Sequence, residues 1–129
     1  MSEPKKLKTI TYLRKMRTLL SDPEHWTKGV YARNKDGKHV YAVSEEAQSF
    51  CMVGAMRVVT QEVDDAIVQV RRTLNPFIPP SPSGDNDIVF FNDNPATTHD
   101  DVMKVINTAI ANERKAEPRN RKPKAAVAV

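Results

Sequence analysis

Cys51 is the only cysteine in the chain and the most nucleophilic side chain that the sequence offers. A cysteine hydrolase needs an imidazole base beside the thiol and a carboxylate or amide group that orients the imidazole. The chain offers His99 or His25 as the base and Asp93 or Asn92 as the orienting group. Because such triads are recognised by geometry and not by order along the chain, these residues define one hypothesis, a thiol hydrolase.

Packing is the alternative role for Cys51. The stretch SEEAQSFCMVGAMRVVTQ, residues 44–61, predicts a helix that is capped by its first serine. Cys51 would lie about two turns into this helix, on an apolar face with Gly54 and Ala55. A buried free cysteine behaves as a small hydrophobe, whereas a reactive thiolate needs a helix N-terminus or a cationic, partly exposed environment. We therefore favour packing and predict no catalytic residue.

The stretch FNDNPATTH, residues 91–99, is rich in polar side chains that also allow two interpretations. In the first, Asn92, Asp93, Asn94 and His99 surround a ligand. In the second, the same residue types form an Asx turn followed by the N-cap of a helix, with Thr97 or Thr98 as the cap. We favour the second interpretation, because local hydrogen bonds alone explain the composition.

Metal, cofactor and membrane functions find little support in the sequence. His25, His39 and His99 lack ligand-like spacing, and no glycine-rich loop indicates a nucleotide site, so we predict neither a metal nor a cofactor. No window approaches the ~20 apolar residues of a membrane span, and the N-terminus lacks the apolar stretch of a signal peptide. A single cysteine forms no internal disulfide. We expect a cytoplasmic protein that does not enter a membrane.

The net charge of +4 is unevenly distributed along the chain. Residues 1–20 and residues 114–124 each carry +5, and the remaining residues carry −6. Basic ends can contact phosphates, which predicts a nucleic-acid interface at Arg114, Lys115, Arg119, Arg121, Lys122 and Lys124. The alternative is a solvated tail, or one that folds back on the acidic middle. Neither end interleaves aromatic residues, which single-strand stacking would require.

Three helices are predicted around these candidates from apolar periodicity. The first covers about residues 5–20, the second covers about 63–74 and ends before Pro76, and the last ends near residue 116 because Pro118 follows. With the helix that contains Cys51, this gives about four helices. The predicted domain is residues 1–116, followed by a basic flexible tail over 117–129.

β structure is predicted in two places. Val and Tyr residues flank Asp36-Gly37, a pair typical of tight turns, which predicts a hairpin over residues 30–43. Residues 87–92 form a short apolar run that we interpret as extended, giving room for a third short strand. The fold class is thus α+β, a mainly helical single domain. The predicted core is Leu13, Met16, Leu20, Trp26, Val43, Phe50, Cys51, Ala55, Val58, Ile67, Val70, Phe90, Val102, Ile106 and Ile110.

Four short motifs follow one another along the chain. They are Trp26-x-x-Gly29, Cys51-x-x-Gly54-Ala55, Phe91-Asn92-Asp93 and Thr98-x-x-x-Val102. This order resembles a family of small uncharacterised bacterial and phage proteins, a domain of unknown function, over about residues 10–110. The family tends to have Trp where this chain has Phe91. The resemblance implies a structural role for the motif residues and assigns no activity.

We therefore expect a small non-enzymatic interaction or accessory protein with an unidentified protein partner. One alternative is a nucleic-acid-associated protein that binds phosphates through its basic ends. The other is a hydrolase built on Cys51 with His99 or His25. The sequence leaves the oligomeric state open.

Overall fold

The computed structural model describes residues 7–82 and 87–127, with side chains as far as residue 116. The predicted fold class is confirmed: the chain is mainly helical and contains one small antiparallel sheet. The described elements, in chain order, are α1 (Thr9–Leu20), β1 (Ala32–Arg33), β2 (Ser49–Phe50), α2 (Met52–Val59), α3 (Asp64–Leu74), α4 (Ile88–Asp93) and α5 (His99–Val127), with short 3-10 turns at Pro23–His25 and Asn75–Phe77.

The helices α1, α3 and α5 form a bundle with an apolar interior, to which α2 adds a further wall. Their apolar residues recur every three or four positions, so each helix has one stripe to bury. Helices α1 and α5 run antiparallel: His99 Nε2 lies 2.7 Å from the carbonyl oxygen of Leu20, and Arg17 Nη1 donates to Asn107 Oδ1 at 3.1 Å. Most of the periodic residues predicted as core in these helices are buried, namely Leu13, Met16, Leu20, Val70, Val102, Ile106 and Ile110. Ile67 of α3 is only partly buried, as are Trp26 and Val58, so their predicted place in the core is wrong in degree.

Helix α5 begins with a reciprocal cap. Thr98 Oγ1 accepts from the Asp101 N–H at 3.1 Å, and Asp101 Oδ2 accepts from the Thr98 N–H at 2.9 Å, which confirms Thr98 as the cap. Hydrogen bonds of the carboxyl with the Thr98 backbone N–H and with the Thr98 side chain lower the pKa of Asp101. The helix runs to Val127, so its predicted end before Pro118 is wrong. Proline disfavours a helix interior without forbidding it, and the surrounding Ala, Lys and Arg residues are good helix formers. A flexible tail over 117–129 stays a prediction.

The predicted hairpin over residues 30–43 is wrong in its pairing. β1 pairs with β2, in the register Ala32 with Phe50, and residue 39 makes only an isolated bridge to Arg33. The tight turn itself does form, because Gly37 has φ +81° and Asn34 Oδ1 accepts from two later backbone N–H groups. After that turn the chain leaves the sheet. Val43 is exposed, contrary to its predicted place in the core.

Two predicted elements around the motifs are also wrong. Ser44 caps only a local turn, and the chain then extends through β2, so the second helix begins at Met52. Residues 87–92 are not extended, because α4 begins there with the Asp87 carboxylate accepting from the N–H groups of Val89 and Phe90. Helical geometry turns Phe91 inward and leaves Phe90 exposed, so Phe90 is not a core residue. A short apolar run does not distinguish a strand from a helical turn.

Candidate functional site

Asn92 is the centre of a polar network that joins three parts of the chain. Its side chain is only 1% exposed. Its Oδ1 accepts from Trp26 Nε1 at 2.8 Å and from the Met52 N–H at 3.0 Å, and its Nδ2 donates to the Thr27 carbonyl at 3.1 Å. The amide group therefore ties the segment after α1 and the first residue of α2 to α4. A buried amide is stable here because its donors and acceptors are matched.

Asp93 extends this network to Gly29. One carboxylate oxygen, Oδ1, accepts from the Gly29 N–H at 2.9 Å and from Asn92 Nδ2 at 2.9 Å. Gly29 has φ +86°, in the left-handed region that glycine adopts without strain. We call the residues Trp26, Thr27, Gly29, Cys51, Met52, Gly54, Asn92 and Asp93 the polar junction.

Cys51 is the N-cap of α2, and the predicted position two turns into a helix is wrong. Its Sγ accepts from the Gly54 N–H at 3.2 Å, and its own N–H donates to the Tyr31 carbonyl at 3.1 Å. The side chain is buried, 6% exposed, as the packing interpretation expected. Burial raises the pKa of the Cys51 thiol, the Asp93 carboxylate adds to the rise, and the N–H groups of Gly54 and Val53 oppose it. The thiol therefore stays protonated near neutral pH.

Gly54 lies where the backbone of α2 packs directly against the backbone of Tyr31. A Cβ atom at this position would lie 2.0 Å from the Tyr31 carbonyl oxygen and 2.9 Å from its carbon. Neither backbone atom can move aside as the end of a side chain could, so the position excludes every other residue. The predicted strip of small residues on this helix, which includes the fully buried Ala55, therefore admits the segment that carries Tyr31.

The histidines considered as bases lie apart from the thiol. His99 Nε2 contacts the Leu20 carbonyl, and its ring lies 6.1 Å from the Trp26 ring, centroid to centroid. His25 is exposed on its 3-10 turn. Neither lines the cleft that contains Cys51, whereas His39 does. The turn after β1 carries His39 there, a position that no sequence pattern predicts.

The cleft beside Cys51 has a volume of about 250 Å³. Its buried residues include Cys51 and Asn92. Gly29, Val30 and Tyr31 lie along the segment before β1, and Val89 and Asp93 come from α4. We call it the Cys51 cleft; Val53 and His39 complete its lining. The structure thus brings together Cys51, Asn92 and Asp93 from the predicted candidates.

Helix α4 separates this cleft from a second one. Val89 lines the Cys51 cleft, and Phe90 lines a groove of about 470 Å³ between residues 77–80 and α5. Both side chains are 42% exposed. We call Val89 and Phe90 the α4 ridge. Large apolar side chains exposed side by side between two concave surfaces are typical of binding sites.

The basic candidates lie along the bundle. Arg114 and Lys115 are exposed on α5, and the side chains of Arg119, Arg121, Lys122 and Lys124 lie outside those described. Among the described basic residues of α1, Arg17 contacts α5 through its hydrogen bond to Asn107.

Within the described residues, no three His, Cys, Asp or Glu side chains gather closely enough to hold a metal ion. Over the same residues, no helix has both the length and the apolar character needed to cross a bilayer.

The fold and the site define a class of protein. It is a small α+β domain in which residues of short motifs meet at the polar junction, beside the Cys51 cleft. The chain matches the family of unknown function DUF6197 over residues 4–112, and it belongs to that family. The expected membership of a domain family without an assigned function is confirmed. No curated protein and no solved structure matches the chain.

Proposed function

We propose that the protein is a non-enzymatic interaction module of the cytoplasm that engages a partner protein through the α4 ridge. The observation that carries this proposal is the exposure of Val89 and Phe90, 42% each, on a helix whose other face is fixed in the core. Aromatic and apolar side chains in such positions supply most of the energy of protein–protein binding.

The attachment of α4 supports the proposal. Ile88, Phe91 and Asn92 are buried, and the side chain of Asn92 alone makes hydrogen bonds to two other segments, the one after α1 and the start of α2. The ridge is therefore held in one orientation before any partner arrives. A surface that is ordered in advance loses little conformational entropy on binding.

The state of the candidate catalytic groups supports a role without chemistry. A reactive cysteine has a lowered pKa, whereas burial raises the pKa of Cys51. The imidazole of His99 is engaged with the Leu20 carbonyl and the Trp26 ring, and the amide of Asn92 is fully used within the fold. These groups stabilise the domain that presents the ridge.

The test uses a photo-activated amino acid at position 90 in cells that express the protein, with position 68 as the matched control. Val68 is exposed to a similar extent, 50%, on α3. We expect a partner to be captured from position 90 and not from position 68. The captured protein is then purified and titrated with the wild type, with Phe90→Ser and with Val68→Ser.

Phe90→Ser should weaken the affinity of this partner at least about tenfold, because an apolar residue at the centre of an interface commonly contributes more than about 1.4 kcal/mol. Val68→Ser should leave it unchanged. Equal capture at both positions, or equal affinity of Phe90→Ser and the wild type, would contradict the proposal.

A second candidate function is phosphate binding to nucleic acid. The observation that favours it is the hydrogen bond from Arg17 on α1 to Asn107 on α5, which brings one basic residue of the N-terminal part of the chain to the helix that carries the exposed Arg114 and Lys115. Such an interface binds without sequence preference, and its affinity falls steeply with salt.

Titration of a DNA duplex at several salt concentrations tests this candidate. Arg114→Ala with Lys115→Ala should reduce the dependence of log K on log salt by about 2, since each contact releases about one counterion. Lys35→Ala with Lys38→Ala, an exposed pair on the turn after β1, is the matched control. Deletion of residues 117–129 should abolish the remaining affinity, and affinity that survives with the same slope would rule this function out.

A further inference from the structure

Asp93 places a carboxylate on the wall of the Cys51 cleft with only one of its oxygens in use. Oδ1 accepts two hydrogen bonds, from the Gly29 N–H and from Asn92 Nδ2. Within the described residues, Oδ2 accepts no hydrogen bond, and the carboxylate has no ion-pair partner. The cleft therefore contains one negative charge that the fold does not neutralise.

The cations closest in the chain are occupied elsewhere. Lys28 Nζ donates to the carbonyls of Asn94 and Thr97, at 2.6 and 2.8 Å. Arg33 donates to the Thr27 hydroxyl and to the carbonyls of Lys28 and Gly37. Arg57 lies over the Tyr31 ring, 5.0 Å from its centroid, and does not line the cleft. His39 lines the same cleft but forms no ion pair with Asp93. Among the described residues, no cation therefore contacts this carboxylate.

The rest of the lining suits an apolar stem. Val30, Val53, Val89 and Tyr31 supply hydrocarbon and aromatic surface along the cleft. Its volume of about 250 Å³ is below that of a typical site for a drug-sized ligand, and it is suited to one amino-acid side chain. An apolar stem that ends in a cation is the chemistry of lysine and arginine, which bury their methylene groups and leave the charge at a polar end.

We propose that the Cys51 cleft binds one basic side chain, lysine or arginine, of the partner protein that the α4 ridge engages. This inference rests on the proposed function, because Val89 belongs both to the ridge and to the lining of the cleft. The partner segment thus presents an apolar surface to Phe90 and, beside it, a basic residue to Asp93. Cys51 contributes a neutral thiol to the floor of the cleft, since its burial opposes ionisation.

The experiment uses the full chain and small amides that imitate a residue within a polypeptide. The probes are the N-acetyl N′-methylamides of lysine, arginine and norleucine, of which norleucine has an apolar stem without a charge. The chain contains only four glycines, so selective isotope labelling of glycine gives four backbone signals. Gly29 donates to Asp93 and Gly54 donates to Cys51, whereas Gly37 lies in the turn outside the cleft.

We expect the lysine and arginine amides to shift the Gly29 and Gly54 signals with a Kd on the order of 1 mM, and to leave the Gly37 signal in place. Asp93→Asn keeps the size of the side chain and removes its charge, so it should weaken binding at least about tenfold. Asp65→Asn, an exposed carboxylate on α3, is the matched control and should bind as the wild type does. Val89→Trp should block the cleft without changing its charge.

The proposal is wrong if the norleucine amide binds as tightly as the lysine amide, if no probe shifts Gly29 at about 20 mM, or if Asp93→Asn binds normally. If the thermal unfolding of Asp93→Asn is unchanged, its loss of binding does not result from a loss of folding. If Asp93→Asn does not fold, Val89→Trp replaces it in the test. Failure of the proposed function gives a different result. In that case no partner is captured from position 90, while the lysine amide still binds in the Cys51 cleft.

Discussion

The helical bundle and the polar junction belong to the same small domain, yet they are held together by different forces. The bundle of α1, α3 and α5 buries apolar stripes, whose contribution depends on area and volume. The junction depends on particular atoms: one amide, one carboxylate, one thiol and one glycine. Apolar cores accept substitutions that conserve volume, whereas matched polar groups do not. The two regions should therefore respond differently to small changes.

Gly54→Ala should have the largest effect, although it adds only one methyl group. The added Cβ would lie 2.0 Å from the Tyr31 carbonyl oxygen, so the segment before β1 has to leave α2. We expect a loss of at least about 4 kcal/mol in the free energy of unfolding, measured by chemical denaturation. Ala66→Gly in the bundle is the counterpart and should cost about 1 kcal/mol. Similar losses for both variants would remove the distinction between the regions.

Asn92→Ala should have the next largest effect, about 3 kcal/mol, because it leaves Trp26 Nε1, the Met52 N–H and the Thr27 carbonyl without partners in a buried place. Thermal and chemical unfolding measure this loss. Asn107→Ala is the matched control in the bundle: Asn107 is exposed and accepts one hydrogen bond from Arg17, so its loss should cost less than about 0.5 kcal/mol. A loss at position 92 no greater than at 107 would show that the network contributes little.

The Cys51 thiol gives a third comparison, between the native and the unfolded chain. At pH 7.5 its alkylation by iodoacetamide should be at least about tenfold slower than that of free cysteine, since burial limits access and raises the pKa. The pKa of the thiol is higher in the folded than in the unfolded state. The protonated thiol therefore contributes to the free energy of unfolding below its ordinary pKa, and this contribution is lost as the pH rises through the pKa of the folded state. Cys51→Ala should flatten this alkaline decline. Alkylation faster than that of free cysteine would restore the enzyme hypothesis.

Gln61→Gly should have the smallest effect and the opposite sign. Gln61 joins the junction helix α2 to the bundle helix α3 with φ +54°, in the left-handed region that favours glycine. The N–H groups of Gln61 and Glu62 close the helix on Val58 and Arg57, and both bonds survive the substitution. We expect a gain of about 0.5 to 1 kcal/mol by thermal unfolding. Gln48→Gly, in an extended segment, should be destabilising, and a gain at position 48 would contradict this account.

The same contrast explains what could be predicted from the sequence. Periodic apolar residues such as Leu13, Val70 and Ile106 predict helices whatever surrounds them, and all three are buried. The helix predicted to begin at Ser44 rests on a local pattern. Pairing of β2 with β1 keeps residues 49 and 50 extended, so the helix begins later and Cys51 is its N-cap. Helix α4 has only six residues, too few for a periodic pattern.

The candidate site could be predicted in part. The motifs singled out Asn92 and Asp93, but the favoured interpretation of residues 91–99 as a local turn and cap missed the hydrogen bonds that join these two residues to distant segments. The motifs did not reveal which atoms meet, since one amide with four hydrogen bonds is a property of the tertiary structure. His39 and the exposure of Phe90 depend on the direction in which a turn and a short helix leave the core, and no local pattern encodes that direction.

The hydrogen bonds of the junction also constrain the order in which the chain assembles. They join residues that lie 66, 64 and 40 positions apart. Closing such long loops costs entropy, which the few bonds of one amide do not offset until helix packing has already drawn the segments together. The helices incur a similar entropic cost, since their own contacts lie 79 and 90 positions apart, but they bury large apolar stripes in return. We therefore expect the junction to form after the helices have packed, so that Asn92→Ala accelerates unfolding more than it slows refolding.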